Sequence, residues 1–279
     1  MGCAGIPTGV PPTLLERSSP YVRAMSTMTR TAVIDLNADL GEGAGTDNEL
    51  LAVITSANVA CGAHAGDPET ITSVVRTAQA LRVAIGAHPS FPDRAGFGRR
   101  PMVLPSAQVT DTVAAQIQLV ADAAHKVGAR LQHVKPHGAL YNQAASDPDL
   151  TRAIGEAVRR VDASLIILAL AGSVMADLLH TMGLRVAHEA FIDRGYTEAG
   201  TLVPRGQPGA VITDPTGAAA RAVQLATERT VTVTGRPIHI EADTLCLHGD
   251  TPHAPALAQA VRRSLEGAGV RVARLDSFL

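Results

Sequence analysis

The sequence predicts an α/β protein built as a seven-stranded (β/α) barrel. Two observations carry that prediction. First, from Thr31 onward short apolar runs alternate with amphipathic stretches, the rhythm of parallel strands joined by crossover helices. Second, six of the seven apolar runs end in polar chemistry: Asn37/Asp39, Asn58/His64, His88, Lys135/His137, His188/Glu189 and His248/Asp250. A closed barrel gathers all strand C-termini around one mouth, so all six could meet. An open doubly wound sheet would gather only those at its switch point.

The predicted strands, in order, are Ala32–Asp39, Ala57–Ala60, Val83–Ala87, Leu131–Lys135, Leu165–Leu170, Arg185–His188 and Leu245–His248. Helices fall between them. Asp67–Leu81 opens Asp-Pro-Glu, an N-cap followed by proline at the first helical position. Ser106–Val127 places Val109, Val113, Ile117, Val120 and Ala124 at helical spacing, with Gly128 as its stop. Asp147–Val161 opens Asp-Pro-Asp, and Pro215–Thr227 and Pro252–Leu265 complete the set. Thr230–Glu241 alternates with period two around Gly235-Arg236 and reads as an antiparallel hairpin at a sheet edge. One barrel domain spanning 31–279 accommodates everything. Residues 1–30, with Pro7, Pro11, Pro12 and Pro20, read as a disordered N-terminal extension.

Composition removes several function classes. Of 279 residues 46% are hydrophobic, too many for a disordered chain. A formal net charge of −2 argues against nucleic-acid binding. No apolar run reaches 18 residues, so no membrane-spanning helix is expected. Three irregularly spaced cysteines, Cys3, Cys61 and Cys246, make neither a disulfide framework nor a zinc pair. They point to a reduced, cytoplasmic protein. The oligomeric state is left open, a homo-oligomer included.

The first motif, Ile34–Glu42, puts Asp35, Asn37 and Asp39 on one strand face. Three inward polar side chains need hydrogen bonds, a metal or water. Asn58–Asp67 carries His64 between flexible glycines, with Cys61 read as buried rather than nucleophilic. Gly86–Arg94 ends a strand at His88 and leads to Arg94, Arg99 and Arg100, either anion contacts or solvated surface. His133–Asn142 is the densest motif. Its Lys135 is one of only two lysines, set at the end of a core strand, and His137 follows on the same face. His133 could lie deeper as a core residue. Glu189 and Asp193 could bind metal or act as acid and base, Arg205 between Pro204 and Gly206 suits an anion, and His248 and Asp250 share a face. The chain has no GxxxxGK[ST] loop, no GxSxG elbow and no HExxH helix, and Gly41–Gly45 is an incomplete phosphate loop. Histidines and carboxylates without a preferred serine or cysteine suggest acid–base, metal or phosphoryl chemistry on a small polar substrate.

Six motifs in order, IDLNADLGEG, NVACGAHAGD, IGAHPSFPDRAGFGRR, HVKPHGALYN, EAFIDRGYTEAGTLVPR and LCLHGD, resemble the LamB/YcsF family over roughly residues 31–279. The resemblance implies a (β/α) barrel like that of glycoside hydrolases and deacetylases. It implies hydrolysis of 5-oxo-L-proline to L-glutamate coupled to ATP hydrolysis, as the A subunit of a 5-oxoprolinase with partner subunits B and C. ATP is then a co-substrate, accompanied by Mg²⁺. On this expectation Asp39, His64, Lys135, His137 and Glu189 are catalytic, with Lys135 and Arg205 stabilising anionic charge. Asn37, Asn58, His88, Arg205, His248 and Asp250 hold substrate. No metal-ligand set is identified. The rival expectation is a metal-dependent deacetylase or amidohydrolase acting alone without ATP, through an Asp39/His64/His137 set. A third is a metabolite carrier without turnover.

Overall fold

Strand-forming segments rich in Val, Ile, Leu and Ala, buried on both faces, are what a parallel barrel wrapped in helices requires. The computed structural model describes residues 1–2 and 32–279. The predicted extension over 1–30 therefore lies, but for Met1 and Gly2, outside the described residues. Residues 32–279 cluster as one unit.

Seven parallel strands close on themselves. They are β1 (Val33–Leu40), β2 (Ser56–Ala60), β3 (Ala84–His88), β4 (Leu131–Val134), β5 (Ile166–Leu170), β6 (Arg185–Phe191) and β9 (Thr244–His248). Each pairs with the next, and β9 pairs back with β1 through Asp35–Asp39 against Thr244–His248. The two-residue strand β10 (Arg271–Val272) lies parallel to the start of β1. The predicted hairpin forms as β7 (Thr230–Val233) and β8 (Arg236–His239), antiparallel across the Gly235 turn. It is a separate two-stranded sheet, not an edge of the main one.

Around the barrel run α2 (Pro68–Ala80), α3 (Ser106–Lys126), α5 (Pro148–Asp162), α7 (Pro215–Glu228) and α8 (Ala254–Gly267). Two of these begin as the Asp-Pro signature predicts, and α7 has the same kind of cap. Asp67 accepts from the Thr70 amide, Asp147 from the Asp149 and Leu150 amides, and Asp214 from the Thr216 and Gly217 amides. Each such cap contributes about 1 kcal/mol. Gly128, at φ +75°, ends the last turn after α3. Helix α8 starts two residues later than predicted, because His253 adopts a left-handed conformation ahead of it. Three shorter helices, α1 (Asp47–Leu51), α4 (Gly138–Ala144) and α6 (Val174–Thr181), add to the predicted set.

The main core lies between strands and helices, where Leu36, Val59, Ile85, Ile167 and Leu245 meet Val75, Ile117, Ile154, Leu225 and Val261. Inside the barrel a smaller apolar cluster of Ile166, Leu168, Ala187 and Leu275, backed by Phe278, fills one end. The remaining interior is polar. Asp35, Asn37, Asp39, Ser56, Asn58, His133, Lys135, Glu189 and Thr244 are all buried. Gly86 belongs to this interior, since a Cβ there would sit 2.0 Å from His133 Nε2. No described helix is long and apolar enough to cross a membrane.

Candidate active site

Alternation along β1 turns Asp35, Asn37 and Asp39 inward at three successive depths. The deepest, Asp35, accepts from the hydroxyls of Thr55 (2.8 Å), Ser56 (2.6 Å) and Thr244 (2.6 Å). Burial nevertheless pushes its carboxyl up to about 6. One layer higher, Asn37 donates to Glu189 Oε1 (3.1 Å) and Thr244 Oγ1 (2.7 Å). Asn58 donates to Asn37 Oδ1 (2.7 Å) and Asp39 Oδ1 (2.8 Å). His133 Nε2 meets Asn58 Oδ1 at 2.8 Å, and burial with the nearby Lys135 charge pushes that ring down to about 3. Asn37 and Asn58, expected to hold substrate, instead spend their side chains on this floor.

Lys135 rises from β4 into the layer above. Its Nζ donates to Asp39 Oδ1 (2.8 Å) and Cys246 Sγ (2.8 Å) and lies 3.1 Å from Glu189 Oε1. Burial would lower its pKa, but the carboxylates of Asp39 and Glu189 hold it well above the usual lysine value. The ammonium is therefore charged and already compensated. For Asp39, burial works upward, yet His88 and Lys135 keep the carboxyl well below the ordinary range. Cys246 is pushed well up by burial, so it meets Lys135 as a thiol.

A second group forms where the loops after β1, β2, β3 and β4 meet. His88 Nε2 stands 3.0 Å from His137 Nδ1 and 3.3 Å from Asp39 Oδ2. Glu42 Oε1 reaches His64 Nε2 at 3.1 Å and His137 Nδ1 at 3.4 Å. The His64 and His137 rings stack at 3.8 Å. Gly98, at φ +64°, brings its backbone so close to His137 and His64 that a Cβ would lie 2.9–3.0 Å from them. Burial first, then the neighbouring histidines, pushes His137 well below its usual value. Glu42 is the residue that sequence reasoning missed. It stood inside the first motif, but the direction of a side chain in a glycine turn is not set by strand alternation.

The third group is an Asp–His pair. Asp193 is fully buried and accepts from the His248 amide (2.9 Å) and the Thr251 hydroxyl (2.8 Å). Both its oxygens lie 3.0 Å from His248 Nδ1. Burial would raise Asp193, but His248 and these hydrogen bonds hold it low. A carboxylate accepts only, so His248 Nδ1 carries a proton and Nε2 is free to act as a base. The ring stacks on Phe191, 5.5 Å away.

A cavity of about 820 Å³ opens at this end of the barrel. Of the expected residues, Asp39, Lys135, His137, Arg205 and His248 line it. His64, His88, Glu189, Asn37 and Asn58 lie behind that wall. Asp250 does not share the inward face of His248. It lies past the end of β9, exposed, paired with Arg99 and 3.9 Å from Arg205. His188 likewise turns away from the interior, half-buried. Arg194 donates to the carbonyls of Ala210 (3.0 Å) and Val203 (2.7 Å), which fixes the loop carrying Arg205. Cys61 is buried, and burial pushes its thiol up to about 12, as expected of a residue that is not a nucleophile.

The residues present do not fit a nucleotide at the weak phosphate-loop candidate. The Gly41 amide there donates to the Asp47 carboxylate at 3.1 Å, and Glu42 occupies the turn. One loop amide is thus committed to a carboxylate and is not open to a phosphate. Mg²⁺, which prefers oxygen ligands, is poorly matched to the imidazoles around Glu42.

Relatives agree with this architecture. The LamB/YcsF family model matches residues 34–279. A Heliobacterium modesticaldum protein, named as the A subunit of 5-oxoprolinase, is 51% identical over 86% of this chain and 96% of that protein. A Methylococcus capsulatus protein of the same name is 49% identical, over 90% and 98% respectively. The crystal structure of a lactam utilization protein from Thermus thermophilus superimposes with a TM-score of 0.81 at 45% identity, covering 86% of this chain and 99% of that one. Matched along nearly the whole of the barrel, this chain belongs to the LamB/YcsF family.

Proposed function

We propose that this chain is the A subunit of a multi-subunit 5-oxoprolinase, opening the lactam of 5-oxo-L-proline to give L-glutamate in an ATP-dependent reaction with subunits B and C. The observation that carries the reading is identity near one half, spread over almost the full length of proteins named as the A subunit of 5-oxoprolinase. The cavity supports it, because its walls offer what a small lactam acid needs. Residues 31–279 would act as one catalytic domain, in the cytoplasm.

The substrate carries one carboxylate, one lactam carbonyl and one ring nitrogen. Arg205, only distantly paired to Asp250, is the cation free to take the carboxylate. His248, oriented by Asp193, takes a proton from the attacking water through Nε2. Lys135 faces the cavity as a fixed positive charge beside the carbonyl oxygen, where negative charge develops. Asp39 and His137 form the wall beside it. Glu189 and His64 do not reach the cavity and act through Lys135 and Glu42 as positioning residues. Phosphorylation of the carbonyl oxygen by ATP would make the ring carbon more electrophilic. Water then adds, the C–N bond breaks as His248 returns its proton to the leaving nitrogen, and hydrolysis of the resulting acyl phosphate releases phosphate and glutamate. The chain's own residues assign no step to ATP, and we place the nucleotide and its Mg²⁺ with the partner subunits.

The test is glutamate formation from 5-oxoproline by the chain alone and with subunits B and C, each with and without MgATP. Glutamate only in the complete mixture supports the reading. No glutamate in any mixture of folded subunits overturns it. Chelator-sensitive deacetylation by the chain alone would then be the reading to pursue.

A further inference from the structure

We propose that Asp39, Glu42, His88 and His137 form a binding site for one divalent transition-metal cation of the zinc class. Hydrogen-bond logic comes first. His88 Nδ1 lies 2.7 Å from the Lys135 carbonyl, and His137 Nε2 lies 2.8 Å from the Phe97 carbonyl. Carbonyls only accept, so those nitrogens carry the protons. In the neutral rings the opposite nitrogens, His88 Nε2 and His137 Nδ1, are then bare lone pairs. They face each other at 3.0 Å. Asp39 Oδ2 lies 3.3 Å from the first and Glu42 Oε1 3.4 Å from the second. Four acceptors converge and none of them donates. A backbone carbonyl behind each imidazole is the arrangement that orients metal-binding histidines.

Geometry and charge agree. A tetrahedral cation about 2.0–2.2 Å from each donor sets donors roughly 3.3–3.6 Å apart, and the contacts here, at 3.0, 3.3, 3.4 and 3.8 Å, bracket that spacing. Asp39 Oδ1 is already taken by Lys135 and Asn58, which leaves Oδ2 directed at the cluster. Asp39 and Glu189, counted as carboxylates, share a single ammonium, Lys135, and Glu42 has only imidazoles beside it. A divalent ion offsets the excess. His64 serves as a positioning residue: its Nε2 reaches Glu42 Oε1 at 3.1 Å, while its buried Nδ1 has no partner. Two imidazoles with two carboxylates suit Zn²⁺, Co²⁺ or Ni²⁺ and not Mg²⁺. Because Asp39 and His137 also line the cavity, an open coordination position would accept a carbonyl oxygen or a water from it. That last role rests on the oxoprolinase reading; binding of the ion does not.

The experiment uses tag-free full-length chain stripped with chelator. Co²⁺ is titrated in while visible absorption is followed, and Zn²⁺ displaces it with elemental analysis. About one equivalent should bind, with tetrahedral-type cobalt absorption. His88→Gln and Glu42→Gln should each weaken binding at least tenfold, whereas His125→Ala and His180→Ala, on exposed helix faces, should leave it unchanged. A second readout needs no variant. In ¹⁵N-histidine spectra of the wild type, His88 Nε2 and His137 Nδ1 should be unprotonated without metal and should shift when Zn²⁺ is added. Binding well below one equivalent, affinity unaffected by the ligand substitutions, or a ring protonated on both nitrogens and indifferent to Zn²⁺ would each overturn the site. The last outcome would mean that a shared proton, not a metal, joins the two rings. None of these readouts involves substrate, partners or ATP, so they stand apart from the activity test.

Discussion

Replacing Lys135 by Met keeps a long flexible side chain in place and removes only the charge and its donors. The consequence follows from what Lys135 touches. Asp39 Oδ1 at 2.8 Å and Glu189 Oε1 at 3.1 Å belong to side chains only 2% and 0% exposed. Breaking a buried ion pair from one side costs about 3–5 kcal/mol, because the remaining charge is left buried and unpaired. For metal-free Lys135→Met at pH 7 we expect a loss in that range. At an m-value of about 3 kcal/mol/M, the urea midpoint falls by about 1–1.7 M. The pH dependence has a definite sign. In the wild type the depressed Asp39 carboxyl contributes stability above the ordinary carboxylate pKa and loses it as pH falls through its lower folded value. The variant lacks that contribution, so its deficit is largest at neutral pH and shrinks below about pH 4. Adding Glu189→Gln to Lys135→Met should recover part of the loss, since one stranded carboxylate disappears. A neutral-pH midpoint equal to wild type, or a deficit that grows on acidification, would refute the account of Lys135 as the charge that holds the barrel interior together. Lost turnover alone would not separate that role from a catalytic one.

Gly86→Ala places a Cβ 2.0 Å from His133 Nε2, so the ring must be displaced from Asn58 and the melting temperature should drop sharply. A wild-type melting curve would show that the His133 pocket is looser than described. His133, held near 3 by burial and Lys135, contributes stability that is complete above about pH 6.5 and lost on acidification. By linkage that is on the order of 4–5 kcal/mol. His133→Gln should therefore flatten the stability profile between pH 6.5 and 4. Asp35, raised to about 6, works the other way: its contribution declines as pH rises from about 4 to 6. Asp35→Asn should remove that opposing slope in the same urea series. Cys61 and Cys246, both buried with thiols pushed up, should escape alkylation in the native protein at pH 8 and react on denaturation, as read by peptide mass mapping.

The sequence shows the barrel more fully than it shows the site, for a physical reason. Strand–helix alternation and Asp-Pro caps are local signals, and each acts within a few residues of where it is written. All seven barrel strands lie within a few residues of their predicted positions. The short helices escape sequence reading because five to eight residues hold too few turns for a periodic apolar face. The start of α4 is also hidden in a motif, His133–Asn142, whose residues read as chemistry. The hairpin is legible in its own alternation, but alternation does not state which sheet a hairpin joins.

Depth is the quantity that alternation withholds. It states which way Asn37, Asp39, Asn58 and Lys135 face, and all four do face inward. It does not state which layer meets solvent. Asn37 and Asn58 are floor residues because Glu189, Thr244 and Asp39 satisfy them from other strands of the barrel. Those partners are fixed by barrel register: Asp39 opposite Asn58 on one side and His248 on the other. Register depends on the stagger of all seven strands and cannot be read from any one of them. The same stagger brings Glu42, from a turn that looks like a phosphate cradle, to the histidines of three other loops. A sequence-level reader can recover such a residue only by asking where a carboxylate goes when its turn offers it nothing to bind. Here the answer is that three imidazoles await it, and two of them have already committed their protons to the backbone.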